Sequence, residues 1–234
     1  MKQKKYTEKV LGVLGGMGPA ASAEFLRLLA INAGAECDQE HPRVIMISDP
    51  HIPDRSTAIV GRGADPSGMI KNDLYRLAEL GADVLAVPCN TAHYFIDSFR
   101  QALPIPLIHI VEATVNYGER QYPEGSWVLS TAGTRQSMLY QRYAAQKGYR
   151  LAYPAPELQE ETDKTLRLIK AGNFGQAGQT MRTIVESLRQ IEDLAIMTAC
   201  TELPIAYRFS GLPAEQEVSS LQALSLACLE VLYA

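Results

Sequence analysis

Apolar positions along the chain fall into short unbroken runs separated by amphipathic stretches. Residues 10–14 (VLGVL) are such a run and end in the glycine turn GGMG, which predicts a buried strand. The following AASAEFLRLLAINAG carries apolar residues at helical spacing and stops at Gly34, predicting a helix closed by glycine. A second run, RVIMISD at 43–49, predicts another strand. Residues 50–68 are rich in Gly, Pro and small residues, so a long loop is expected there, mobile enough to serve as a lid. Met69, Ile70, Leu74, Leu77 and Leu80 then recur at helical spacing before Gly81, and DVLAVP forms the next run, leading to Cys89. Strands alternating with helices predict a parallel sheet.

The same signals return further on. SWVLSTAGT (126–134) reads as a strand with a small-residue turn, and a helix carrying Met181, Ile184, Val185, Leu188 and Ile191 precedes the run LAIMTAC. Both halves therefore bring an apolar run to a cysteine, which predicts an α/β protein of two similar domains, each a parallel sheet flanked by helices. A last helix at 219–232 can return to the first half. The expected division is residues 1–112 with 213–234 as one domain and 113–212 as the other.

Composition narrows the function. A chain of 234 residues, 47% hydrophobic, buries a substantial core. Its net charge of −4 and pI near 5.6 argue against a nucleic-acid partner, with no basic run beyond KQKK at the amino terminus. No signal-like or membrane-spanning apolar stretch is present in the sequence, so a cytoplasmic protein is expected. The four cysteines have no CxxC spacing, which points to free thiols rather than a zinc site or disulfides.

In open parallel sheets, ligands bind beyond the carboxyl ends of the strands. Cys89 in VPCNTAHYF and Cys200 in IMTACTELPIA both fall there. A thiol at a helix start is expected to have a depressed pKa and to be partly thiolate near neutral pH, so each is a candidate base. One such cysteine is equally well a small core residue; two in matching contexts are harder to dismiss. Cys37 and Cys228 lack the context and read as a loop thiol and a helix-packing residue. Asn90, Thr91, Thr201 and Glu202 follow the two cysteines. Capping accounts for Asn and Thr at a helix start, and the same groups can hold a substrate carboxylate.

GGMGPAA contains a literal G-x-G-x-x-A, but Pro19 removes an amide from the turn and no acidic residue ends the next strand at an interval of about 20 residues, so a dinucleotide is not expected. A small anion still suits the turn. Arg55 in IPDRS either grips a carboxylate with its fork of donors or is solvated at the surface. Lys170 in LIKAGN would by itself simply offset a helix dipole. His93 and His109 read as a helix-face and a strand-end residue rather than bases.

Taken together, LGGMGPAASAEF, DQEHPRVIMIS, IPDRS, PCNTAHYF and ACTELP resemble the aspartate/glutamate racemase superfamily, and within it the aspartate racemase branch, over residues 11–203. The resemblance implies an active site in the cleft between the two domains and racemisation of aspartate or glutamate without pyridoxal phosphate, nucleotide or metal. It implies that Cys89 and Cys200 face opposite sides of the substrate Cα and that Arg55 and Lys170 bind carboxylate. Gly16, Met17, Asn90, Thr91, Thr131, Thr201 and Glu202 complete the expected substrate-binding set, and a homodimer is expected. Ala199 stands where the family commonly has glycine, and Ser22 replaces a usual threonine. Met17 and Glu202 replace the aspartate and histidine of the glutamate racemase branch. Broad-specificity amino-acid racemases and maleate- or hydantoin-type isomerases are alternatives within the superfamily. A small-molecule-binding regulatory protein on the same fold is an alternative of another class, although it would not need both cysteines. A cysteine-nucleophile hydrolase would need a base on one thiol, and neither motif supplies a His-Asp pair.

Overall fold

The computed structural model describes residues 7–234; the basic KQKK segment lies outside the described residues. The first half runs β1 (Val10–Gly15), α1 (Pro19–Asn32), β2 (Arg43–Ser48), α2 (Arg55–Ile59), α3 (Ser67–Glu79), β3 (Val84–Ala86), α4 (Ala92–Ile96), β4 (Leu107–Ile108) and α5 (Ile110–Gln121). The second runs β5 (Ser126–Leu129), α6 (Ala132–Gln136), α7 (Leu139–Lys147), β6 (Leu151–Ala152), α8 (Pro156–Lys170), α9 (Phe174–Ile191), β7 (Ala195–Thr198), α10 (Leu203–Ser210), β8 (Glu217–Ser219) and α11 (Ser220–Leu232).

All strand pairs are parallel, in two four-stranded sheets ordered β2-β1-β3-β4 and β6-β5-β7-β8. The two orders are the same order repeated, so the duplicated architecture expected from the sequence is present. The central strands are unbroken apolar runs because helices cover both faces; β1, β3, β5 and β7 are buried at every position. Each sheet reverses its winding between its first and third strands, which opens a crevice at their carboxyl ends.

Three apolar clusters hold this frame. One joins the halves: Phe25 and Leu29 of α1, Val111 and Val115 of α5, and Leu221, Leu224 and Cys228 of α11 pack with Val128, Tyr140 and Met197 from the second half. The others lie on the outer faces, with Ile70 and Leu74 against the first sheet and Met181, Ile184 and Leu188 against the second. A core leucine truncated to alanine in any of them would cost about 2–5 kcal/mol.

Two expectations need correction. Residues 217–219, grouped from the sequence with the first domain, pair as β8 with β7 in the second sheet, in register Thr198↔Ser219; only α11 crosses back, onto α1 and α5. Residues 50–68 are not one long loop. Asp54 caps α2 by accepting the Thr57 amide hydrogen at 2.8 Å, and α2 packs against α6 of the opposite half. Among the described residues no helix is long and apolar enough to cross a membrane.

Candidate active site

Cys89 lies three residues past β3 and Cys200 two past β7, the third strand of each half. Met17 lies two past β1 and Thr131 two past β5, the first strands. The four positions are thus paired by the repeat, and all four line one cavity between the halves. Arg55, Asn90, Thr91, Lys170, Thr201 and Glu202 also line it, joined by Asp54, Ser56 and Leu166, which the sequence reading had not singled out. Gly16 is the exception among the expected residues. Its φ of 89° and the Asp49 backbone, 2.4 Å from where a Cβ would stand, make it a close-approach position of the turn rather than part of the lining.

The cavity volume is about 40 Å³, room for a few waters and too little for an amino acid. This is a closed cleft. Its closure is held from both sides: Thr91 of the first half shares hydrogen bonds with Thr134 at 2.8 Å and Thr131 at 3.2 Å of the second. Across the mouth, a Cβ on Gly133 would come within 2.7 Å of the Ser56 Cα, so α2 and α6 touch only because position 133 has no side chain.

Both thiols are 6% exposed. The Ala92 amide beside Cys89 and the Glu202 amide beside Cys200 favour the ionised form. The expected lowering of their pKa values is nevertheless overturned. Burial pushes the Cys89 thiol up, with the Arg55 guanidinium working against that rise and Glu202 adding to it. Burial pushes Cys200 well up, and the Glu202 carboxylate, which accepts the Cys200 Sγ hydrogen at 3.1 Å, pushes it further. Amide donors at short helix starts do not outweigh full desolvation.

Arg55 opens α2 and turns inward. Its Nη1 donates to the carbonyls of Ile52 and Pro53, both at 3.0 Å, and its Nη2 to Met17 at 3.3 Å, while Nε is buried without a partner. A buried unpaired N–H is costly, and here it lies in a residue that lines the cavity. Burial raises the Asp54 carboxyl, yet the Thr57 amide, Arg55 and Lys170 together hold it below the usual carboxylate range. Lys170, at the end of α8, forms no ion pair among the described residues.

Behind the lining, Asn90 is clamped: its Nδ2 donates to Ser220 at 3.0 Å and its Oδ1 accepts from Tyr140 at 2.5 Å. His93 is fully buried, and burial holds it well below the usual histidine range. Its Nδ1 donates to the Cys89 carbonyl at 2.9 Å and its Nε2 accepts from the Ile110 amide at 3.4 Å, so it braces the Cys89 turn as a neutral ring. Ser22 fills its turn as a threonine hydroxyl would, accepting from Gly16 at 3.0 Å and donating to Gly18 at 2.9 Å. Ala199 is buried, with its amide bonded to Leu129 at 2.8 Å. Among the described residues no three His, Cys, Asp or Glu side chains are grouped to hold a metal ion.

Residues 14–218 match the family described as Asp/Glu/hydantoin racemase. The chain belongs to the Asp/Glu/hydantoin racemase family. It is 30% identical over 203 residues to the broad specificity amino-acid racemase RacX of Bacillus subtilis (strain 168), covering 83% of this chain and 86% of that relative. The Picrophilus torridus aspartate racemase superposes with a TM-score of 0.84 at 27% identity, covering 95% of this chain and 94% of that one. Glutamate racemase isoform RacE1 from Bacillus anthracis, at 18% identity and a TM-score of 0.69 over 97% and 82% of the two chains, shares the fold. In this family member, then, the repeat of topology and the repeat of cysteines coincide.

Proposed function

We propose that this racemase-family protein interconverts the enantiomers of acidic amino acids by a two-base reaction in which Cys89 and Cys200 act on opposite faces of the Cα. The observation that carries the reading is the pair of buried thiols at equivalent strand ends of the two halves, lining one closed cavity with Arg55 and Lys170.

The α-proton of an amino acid is very weakly acidic, so a base must meet it in a site where the developing charge is stabilised. One cysteine, as thiolate, takes the proton: an S–H bond forms as the C–H bond breaks, and the electron pair spreads into the α-carboxylate. The opposite thiol then delivers its proton to the other face, a C–H bond forming as its S–H bond breaks. The protein is left with the two protonation states exchanged. Arg55, with its free Nε, and Lys170 answer the two carboxylates of an acidic amino acid. Closure removes water and strengthens these interactions.

A broad-specificity racemase is the second reading, favoured by the RacX relative and by Leu166, an apolar wall in the cavity. Single enantiomers of a panel of amino acids, followed by chiral chromatography, separate the two. Aspartate or glutamate converted well ahead of neutral and basic amino acids is the expected result; similar rates across the panel favour the broad reading, and no racemisation of any member refutes both. The chemistry calls for no pyridoxal phosphate, nucleotide or metal, so the activity is expected to survive hydroxylamine and EDTA.

A further inference from the structure

We propose that a groove between α1, α10 and β8, separate from the cysteine cavity, is a second binding site whose ligand is a small organic ammonium ion. The groove has a volume of about 510 Å³ and is lined from both halves, within the range of small-molecule sites. Three carboxylates and two guanidiniums line it. Glu24 takes up both guanidiniums: it accepts from Arg27 at 2.7 and 2.9 Å and from Arg208 at 2.9 and 3.0 Å. Glu215 and Glu217 are left without an ion pair among the described residues. With Glu217 ionised, the carboxylates of the groove exceed its guanidiniums by one negative charge, which a bound cation answers.

Glu217 shares the groove with two tyrosines. Its Oε1 accepts from Thr198 Oγ1 at 2.7 Å, and its other oxygen has no hydrogen bond among the described residues. Tyr117 of α5 and Tyr207 of α10 line the same groove, and both phenols feel the Glu217 carboxylate. A carboxylate that shares a groove with tyrosine side chains suits an alkylammonium group, which gains a charge-assisted hydrogen bond and an aromatic lining for its carbon chain. Inorganic cations would leave the rings unused, and the large volume admits an alkyl chain.

The charged and titratable groups around Glu217 are Glu24 and Arg27 from α1, Tyr117 from α5, Tyr122 just after α5, Tyr207 and Arg208 from α10, and Glu215 from the turn before β8. Burial pushes the Glu217 carboxyl up to about 8, with the Thr198 hydroxyl working against that rise and Glu24 adding to it. At neutral pH the empty groove thus holds a mostly protonated Glu217. An ammonium ion binds the ionised form, so binding at that pH releases a proton to solvent. Thr198 stands two residues before Cys200 and α10 follows Glu202, so a ligand here rests on the same two elements that carry the second thiol.

Calorimetric titration of the full chain with pentane-1,5-diammonium chloride tests the proposal. Saturable one-to-one binding is expected, with proton release at neutral pH read from buffers of different ionisation heat. Glu217→Gln should weaken binding about tenfold or more, and Tyr117→Leu several-fold. Absence of saturable binding at millimolar ligand overturns the proposal, as does equal affinity in wild type and Glu217→Gln. Should Glu217→Gln fail to fold, Tyr117→Leu decides, and an unchanged affinity in it is equally fatal.

Discussion

Cys89 and Cys200 stand at the same place in the two repeated sheets and are equally buried, yet the strongest charge beside each differs in sign. Beside Cys89 are the Arg55 guanidinium and the uncharged Asn90, clamped by Ser220 and Tyr140. Beside Cys200 is the Glu202 carboxylate, which takes its thiol hydrogen. A duplicated backbone has supplied two equivalent positions, and the side chains have made them unequal. Burial raises both thiols, and the Glu202 carboxylate carries Cys200 further up than Cys89, which has the Arg55 cation beside it.

The most drastic way to break the comparison is to remove one side. Cys89→Ser and Cys200→Ser should each lower racemisation by about 10³-fold or more, since a serine hydroxyl does not ionise near neutral pH. Each variant should still exchange the α-hydrogen of one enantiomer in deuterated water, the two preferring opposite enantiomers by mass spectrometry. Substantial racemisation by either variant would refute the two-base reading. Cys37→Ser and Cys228→Ser should stay active.

Next in size, Arg55→Ala should reduce kcat/KM for aspartate or glutamate by about 10- to 100-fold, through the loss of a charge-assisted carboxylate contact and of the cation beside Cys89. Arg55→Lys should recover little, because the fork of donors is gone. Lys170→Ala, at an exposed helix end, should act mainly on KM. Wild-type kinetics in both alanine variants would leave these two cations as surface charges.

Gly133→Ala tests the closed form that both sides share. A methyl group pressed on Ser56 should hold α2 away from α6 and raise KM about fivefold or more, with little change in thermal stability. An unchanged KM would show that the two helices need not meet.

The smallest effect sharpens the comparison directly. The two-base reading requires a thiolate, and because both thiols are raised, kcat/KM should climb from neutral into alkaline pH. Glu202→Gln removes the charge that opposes ionisation of Cys200, so the kcat profile of the enantiomer deprotonated by Cys200 should rise at lower pH, with its KM moving in step because kcat/KM stays equal for the two enantiomers. The other enantiomer should change less. Equal shifts for both would mean that Glu202 acts on the site as a whole.

Much of this arrangement was legible in the chain. Buried parallel strands read as continuous apolar runs, so β1, β3, β5 and β7 and the cysteines beyond them could be located from residues alone. The helix α2 could not, because its five residues are set by the Asp54 cap and by contact with α6 rather than by an apolar stripe. The strand β8 has one apolar residue, Val218, flanked by Glu217 and Ser219, too short for any period to show. Asp54, Ser56 and Leu166 reach the cavity from segments far apart in sequence, and Gly133 earns its meaning only from the opposite half. The thiol ionisation was misread for a related reason: the sequence displays the helix start that lowers a pKa but not the burial that raises it.

The lone carboxylate beside Cys200 has a thermodynamic limit on what it can do. In water the two enantiomers of an amino acid have equal free energy, so their equilibrium constant is one, and the ratio of kcat/KM for the two directions must equal it whatever charges line the cleft. Glu202 therefore cannot make a racemase prefer one hand in that ratio. Its influence is confined to how each direction divides between saturation and turnover: unequal KM values for the two enantiomers, matched by kcat values unequal in the same proportion.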